Sequence, residues 1–295
     1  MFSTLLGPLP PADPASGGVP LDPTIANVRA LEDIGLELIT GGGSPLGPAT
    51  PSDAVVAAWR AAAGLTALPV KQSVLGPYRG GSREAAETLA ASIAALADAG
   101  CPIVEVVEPN LAPIVASDAE RARFVDAHRW LFAALGTTSP GIHCSLAVGG
   151  GNLDAAGAAT FFDLPYPSYA FDLIEGPDNW RLIAAAPGDR GIVCGAISAT
   201  AGADETRELL VWAAQYAAST GGRGIDRVGL ANAGSLAGLP REVALRKLRR
   251  VAEASRIIAT SSPDELARQL DPRAVSRGRG RRRRPAAALE PPAEA

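Results

Sequence analysis

Eight short runs of apolar, largely β-branched residues recur along the chain. Each is followed by a polar or glycine-rich corner and then by a stretch rich in Ala, Leu, Glu and Arg. The runs are Phe2 to Leu6, Leu36 to Thr40, Pro69 to Leu75, Pro102 to Val107, Gly141 to Ala147, Ala170 to Ile174, Gly191 to Ser198 and Arg227 to Asn232. Helical periodicity fills the intervals, most clearly over Ser82 to Ala99, Asp118 to Ala134, Asp204 to Ala218 and Arg241 to Ala254. Such alternation predicts parallel βα units. Eight units over about 255 residues match the usual size of a single-domain (β/α)8 TIM barrel, an α/β fold; an open doubly wound sheet is the alternative.

Local signals agree with this division. In "SREAAE" and "SDAERA" a serine precedes an acidic first turn, where it can satisfy free amides and the carboxylates suit the helix dipole. "LEDIGLE" and "LADAGCP" end their helices on a glycine able to take the left-handed conformation.

The chain splits by charge. Its net charge is −4, but Pro272 to Ala295 carries seven Arg against two Glu, which leaves residues 1–271 at −9. The barrel domain is therefore assigned to 1–271 and an Arg-rich tail to 272–295, disordered from Ala274 onward because almost nothing apolar is present to order it. A basic tail can contact phosphates, so any nucleic-acid partner is expected at the tail and not on the acidic barrel, while a solvated charge run with no dedicated partner is the favoured reading. No apolar run reaches the roughly 18 residues of a membrane span and no signal-type segment opens the chain, so a cytoplasmic protein with no membrane partner is expected. Cys101, Cys144 and Cys194 are odd in number, scattered and outside any CxxC pair, which fits a reducing compartment.

Polar residues interrupt the apolar runs at alternate positions: Glu105 in "IVEVVEP", His143 and Ser145 in "GIHCSLA", Asp172 in "AFDLIEG". In a parallel barrel alternate residues point inward and the carboxyl ends of the strands form the active-site rim. On that registration Glu108, His143, Ser145, Asp172, Cys194 and Asn232 gather at one mouth, around a small-molecule ligand. His143, Asp172 and Glu108 are the candidate catalytic groups, acting as acid, base or orienting carboxylates. Glu105, Ser145, Cys194 and Asn232 are the candidate substrate-binding groups. The corners "ITGGGSPLGPATP" and "VLGPYRGGSRE" allow close backbone approach and offer amides to an anion, although neither is a dinucleotide fingerprint or a P-loop. Arg79 and Arg83 read as solvated, and His128 in "FVDAHRWLF" reads as a structural residue of an outer helix.

The ordered series "LEDIGLELITGGG", "PVKQSVLGPY", "ALADAGCPIVEVVEPNL", "GIHCSL", "YAFDLIEG", "GIVCGAIS" and "VGLANAGSLAGLPREVALRKLRRVAEAS" resembles the C-terminal catalytic barrel of cobalamin-independent methionine synthase. That family shares a superfamily with uroporphyrinogen decarboxylase. The resemblance spans about residues 1 to 256 and implies methyl transfer from a methyltetrahydrofolate-type donor to a zinc-bound thiolate, held by a His-x-Cys pair, a Glu and a distant Cys. His143 stands at the family's histidine, but the position two further on is Ser145, with Cys144 displaced to the opposite face. Asp172 replaces the glutamate, and the family's Asp-Cys-Gly corresponds to Asn232, Ala233 and Gly234. The acids that hold homocysteine correspond to Gly41, Gly42 and Gly43 and to Val107, Glu108 and Pro109, so one of them is retained.

The metal-ligand set is therefore incomplete, no metal residues are assigned, and the cofactor is left open. His143, Asp172 and Cys194 form the one alternative zinc set. Three functions compete: a divergent methyltransferase-family enzyme acting on a small molecule, a non-catalytic ligand-binding or regulatory protein on the same fold, and a decarboxylase-like member of the superfamily. The third ranks lowest, since inward strand positions are acidic or neutral where an anionic substrate calls for arginine.

Overall fold

The computed structural model describes residues 1–12, 22–136, 141–203 and 205–270. The proposed tail, 272–295, lies outside them. Seven strands form one sheet: β1 (Phe2–Ser3), β2 (Lys71–Leu75), β3 (Ile103–Glu108), β4 (His143–Val148), β5 (Ser168–Asp172), β6 (Gly191–Ile197) and β7 (Val228–Asn232). All pair in parallel in the order β1-β7-β6-β5-β4-β3-β2, so each strand from β2 to β6 lies beside its successor in sequence and β7 lies beside β1. The sheet is consistent with a TIM-like barrel.

The run expected as a strand over Leu36 to Thr40 appears only as two parallel bridges, Thr4 with Leu38 and Ile39 with Val70, which connect the edge strands β1 and β2. The backbone explains the difference. Leu36 spends its N–H on Leu31 O, closing the preceding helix, and Gly41 to Gly43 follow at once, so pairing is confined to Glu37, Leu38 and Ile39. Leu38 N donates to Ser3 O at 3.0 Å and Lys71 N to Ile39 O at 2.9 Å.

The helices are α1 (Pro23–Asp33), α2 (Ser52–Ala63), α3 (Arg83–Asp98), α4 (Ala112–Ala116), α5 (Asp118–Leu135), α6 (Ala158–Phe162), α7 (Trp180–Ala185), α8 (Arg207–Ser219), α9 (Arg241–Thr260) and α10 (Pro263–Leu270). The expected caps are present. Ser82 Oγ accepts from Ala85 N at 3.1 Å and Ser117 Oγ from Glu120 N at 3.3 Å. Gly35 and Gly100 stand at φ +86° and +90°, where a side chain would be strained. Helix α9 runs past the expected end at Ala254, because its buried stripe continues through Ser255 and Ile258.

Two packing layers result from the period-2 alternation of the strands. On the convex side Val104, Val106, Leu146, Phe171 and Ile192 join the large core beneath the helices. Facing the hollow, Leu6, Ala147, Ala170, Val193 and Ala231 form a separate apolar cluster, with Phe2 and Val107 packed on it. This small cluster divides the hollow across its middle, and cavities open on either side of it.

Candidate functional site

Strand register fixes the level of every polar group. Ile103 pairs with His143, Glu105 with Ser145, and Ser145 with Ser168, so His143 is the first residue of β4 and stands at the amino end of the sheet. Asp172 is the last residue of β5, one step beyond the Val148–Phe171 pair. Six residues of strand rise separate the two levels, about 20 Å. The single mouth expected from the sequence is therefore two sites. His143, Glu105 and Ser145 line the amino-terminal cavity, and Glu108 lines the carboxyl-terminal one.

The amino-terminal cavity, about 370 Å³, is built from the first turns of the strands. Lys71 and Glu105 form an ion pair across β2 and β3, 2 % and 3 % exposed. Ser73 Oγ donates to the second carboxylate oxygen at 3.0 Å. On β4 the His143 ring shares a 2.7 Å hydrogen bond through Nε2 with Ser168 Oγ. Burial lowers the pKa of this imidazole below its ordinary value, which favours the neutral ring. Asp189, Asp226 and Arg227 stand among the lining residues that precede β6 and β7. Sequence reasoning missed Lys71, Ser73 and Ser168. A lysine at an inward position of an otherwise apolar run, "PVKQSVL", was the available signal, but its partner lies 34 residues away and only the register joins them.

The carboxyl-terminal cavity, about 380 Å³, is mostly apolar, with Leu6, Leu75, Val107, Ala147 and Val148 beside glycine and proline corners. Its one carboxylate belongs to Glu108, which is 1 % exposed. That group is already held: Tyr78 N donates to Oε1 at 3.0 Å, and His128 Nε2 stands 3.2 Å from the same oxygen, out of line for a hydrogen bond. The corner "LGPY" thus cradles an anion, as its glycine suggested, but the anion is the protein's own. A Cβ on Gly76 would collide with the Glu108 carboxylate, so glycine at that position is what admits the group. His128 is fully buried on α5 and shares a 2.7 Å hydrogen bond through Nδ1 with Tyr166 OH.

The remaining expected site residues satisfy the fold. Asp172 Oδ1 accepts from Ile174 N and Glu175 N at 2.8 and 2.9 Å, closing the turn after β5. Burial raises its pKa even against those two amides. Asn232 turns to the outer face and ties the end of β7 to the segment after β1, accepting from Leu6 N at 2.9 Å and donating to Leu6 O and Gly234 O. Cys194 also points outward, because it pairs with Leu230 and Phe171, and its thiol lies 3.8 Å from Ala213 O on α8. All three thiols are pushed up by burial, Cys101 and Cys144 to about 11 and Cys194 to about 12, so none is a thiolate at neutral pH.

The zinc set implied by the resemblance does not fit this arrangement. His143 and Asp172 sit at opposite ends, Cys144 and Cys194 face the helices, and the position beyond Asn232 is alanine. The alternative set of His143, Asp172 and Cys194 fails for the same reasons. Among the described residues no group of three or more His, Cys, Asp or Glu side chains could hold a metal ion. No helix among them is long and apolar enough to cross a membrane.

No protein-family model and no curated protein sequence matches the chain. Solved structures do. A B12-independent methionine synthase from Shewanella sp. W3-18-1, in complex with selenomethionine, superimposes with a TM-score of 0.65 over 90 % of this chain and 98 % of its own, at 16 % identity. A putative vitamin-B12 independent methionine synthase from Listeria monocytogenes gives 0.62 over 88 % and 98 %, at 14 % identity. At such identities the likeness is one of fold.

Proposed function

We propose that the chain is a divergent methionine-synthase-like barrel protein that takes a small, largely apolar organic molecule in its carboxyl-terminal mouth and does not activate a thiol through zinc. The observation that carries this reading is the composition of that mouth. Its wall is apolar, and its only carboxylate, Glu108, is engaged by Tyr78 N–H and backed by His128. An amino acid such as homocysteine would leave its ammonium and carboxylate without partners there, which disfavours binding strongly in a desolvated pocket. A cavity of this size suits a small ligand, and the carboxyl ends of the strands are where barrels of this kind bind their ligands.

The reading favours binding over catalysis, because Glu108 and Asp172 each have one carboxylate oxygen held by backbone amides. An enzymatic version would rest on Glu108 alone as a base, after release from Tyr78 N–H. His143, Glu105 and Ser145 belong to the other cavity and take no part in this site.

Thermal-shift and calorimetric titration with thioanisole, indole and cyclohexanol test the proposal, beside homocysteine with 5-methyltetrahydrofolate. A neutral probe at about 100 times its dissociation constant adds roughly 2.7 kcal/mol of stability, and Ala147→Phe, which fills the mouth, abolishes the effect. Methionine production, or one tightly held equivalent of zinc, overturns the reading.

A further inference from the structure

The amino-terminal cavity has a different chemistry from the mouth, and its reading does not depend on the function proposed above. Its innermost polar feature is an ion pair that is neutral as a unit yet unsaturated. The Lys71 ammonium has three N–H donors and only the Glu105 carboxylate as a partner, while that carboxylate, with roughly four lone-pair positions, accepts from Lys71 and Ser73. Both residues line the open space. On the neighbouring strand, level with Glu105, Ser145 is 7 % exposed and its hydroxyl bonds to no other described residue, although it also lines the cavity. Side walls are supplied by Phe2, Leu38, Ile103 and Val193.

These features select a ligand by three criteria. First, an added net charge beside a pair that already compensates itself would be left unpaired in a desolvated space, so the ligand's inner part is uncharged. Second, an ammonium N–H next to a carboxylate oxygen is the complement of an acceptor next to a donor, the edge of a lactam or primary amide. Third, the Phe2 ring and the aliphatic walls fit a flat ring. The volume, about 370 Å³, lies in the range of small-molecule sites.

We propose that the amino-terminal cavity is a second ligand site, built for an uncharged planar heterocycle or carboxamide whose adjacent C=O and N–H are read by Lys71 and Glu105, with Ser145 as a further hydrogen-bond partner. The His143 imidazole, fixed by Ser168, flanks this group as a neutral ring. The site is separated from the carboxyl-terminal mouth by the cluster of Leu6, Ala147, Ala170, Val193 and Ala231.

The test is calorimetric titration of the full chain with nicotinamide, uracil and hypoxanthine, using nicotinate and benzamidine as charged counterparts of similar shape. At least one lactam or amide binds saturably in the millimolar range or tighter, and both charged counterparts bind at least tenfold more weakly. Ser145→Leu, which fills the inner space, and the paired change Lys71→Met with Glu105→Leu, which keeps volume and removes the polar edge, each weaken binding at least tenfold. Ser44→Leu, at the carboxyl-terminal mouth and outside the dividing cluster, leaves it unchanged. Far-UV circular dichroism confirms that each variant is folded, and Ser145→Thr carries the comparison should Ser145→Leu not fold. Absence of saturable binding, equal binding of nicotinate, or loss of binding in Ser44→Leu with retention in Ser145→Leu overturns the proposal. None of these results bears on whether the mouth binds thioanisole.

Discussion

Replacing Glu105 by glutamine removes one charge from a pair enclosed by the sheet and keeps the side chain's size. Ser73 Oγ can still donate to the amide oxygen, so the loss falls on Lys71, 2 % exposed and left without its one ion-pair partner among the described residues. Breaking a buried ion pair from one side costs about 3–5 kcal/mol. The cavity beside the pair lets water approach the freed ammonium, which places this variant near the lower end, about 3 kcal/mol. For a chain of this size the melting temperature falls by roughly 2–4 °C per kcal/mol, giving a drop of about 6–12 °C. Removing both charges together, Lys71→Met with Glu105→Leu, leaves no unpaired charge, only the Ser73 hydroxyl to find another acceptor, and is near neutral, so a double-mutant cycle with the single Lys71→Met and Glu105→Leu variants returns a coupling of at least about 3 kcal/mol. Urea unfolding with linear extrapolation measures each of these variants, provided the slopes agree. A Glu105→Gln protein within about 0.5 kcal/mol of the parent would show that the pair is solvated and that the enclosure argued here is wrong.

Three further outcomes follow from the same geometry. His143 titrates near 6.5 in the unfolded chain and lower in the folded one, so the folded state resists a proton that the unfolded state accepts; stability present above about pH 6.5 is lost as the pH falls toward the folded pKa, by up to about 1.4 kcal/mol per pH unit, and a His143→Gln variant with the same pH profile would refute this. The three thiols react slowly with a disulfide reagent at pH 8 in the native protein and all three react once unfolded; fast labelling of Cys144 or Cys194 in the native state would place them on the wrong face. Gly76→Ala forces the Glu108 carboxylate out of its cradle and destabilises the fold by about 1–3 kcal/mol, the cost of a buried group losing its hydrogen bond, whereas Gly43→Ala, which meets open space, costs under about 1 kcal/mol.

Much of the architecture is legible in the sequence because it is written locally. Apolar runs of the right length, serine caps at residues 82 and 117, and glycines at 35 and 100 mark where strands and helices begin and end, and the structure places seven of the eight runs in one parallel sheet. The alternation also places Glu105 and Ser145 on the inward face, where they are found. The eighth run was misjudged, since its first residue is claimed by the preceding helix and glycines follow its last.

What sequence periodicity leaves open is height along the strand and partnership across it. A period of two fixes which face a side chain occupies but not whether it stands at the first residue of a strand, as His143 does, or at the last, as Asp172 does. The expected face also differs at Cys194, which pairs with the outward-facing Phe171 and Leu230, and at Asn232, which follows the inward-facing Ala231. Those levels are set by the stagger of neighbouring strands, a property of the backbone hydrogen bonds across the whole sheet and of no single segment. The same stagger brings Lys71 to Glu105, residues whose types announce a buried charge each but whose pairing only the tertiary structure makes, and so it decides that the hollow holds two unlike cavities in place of one mouth.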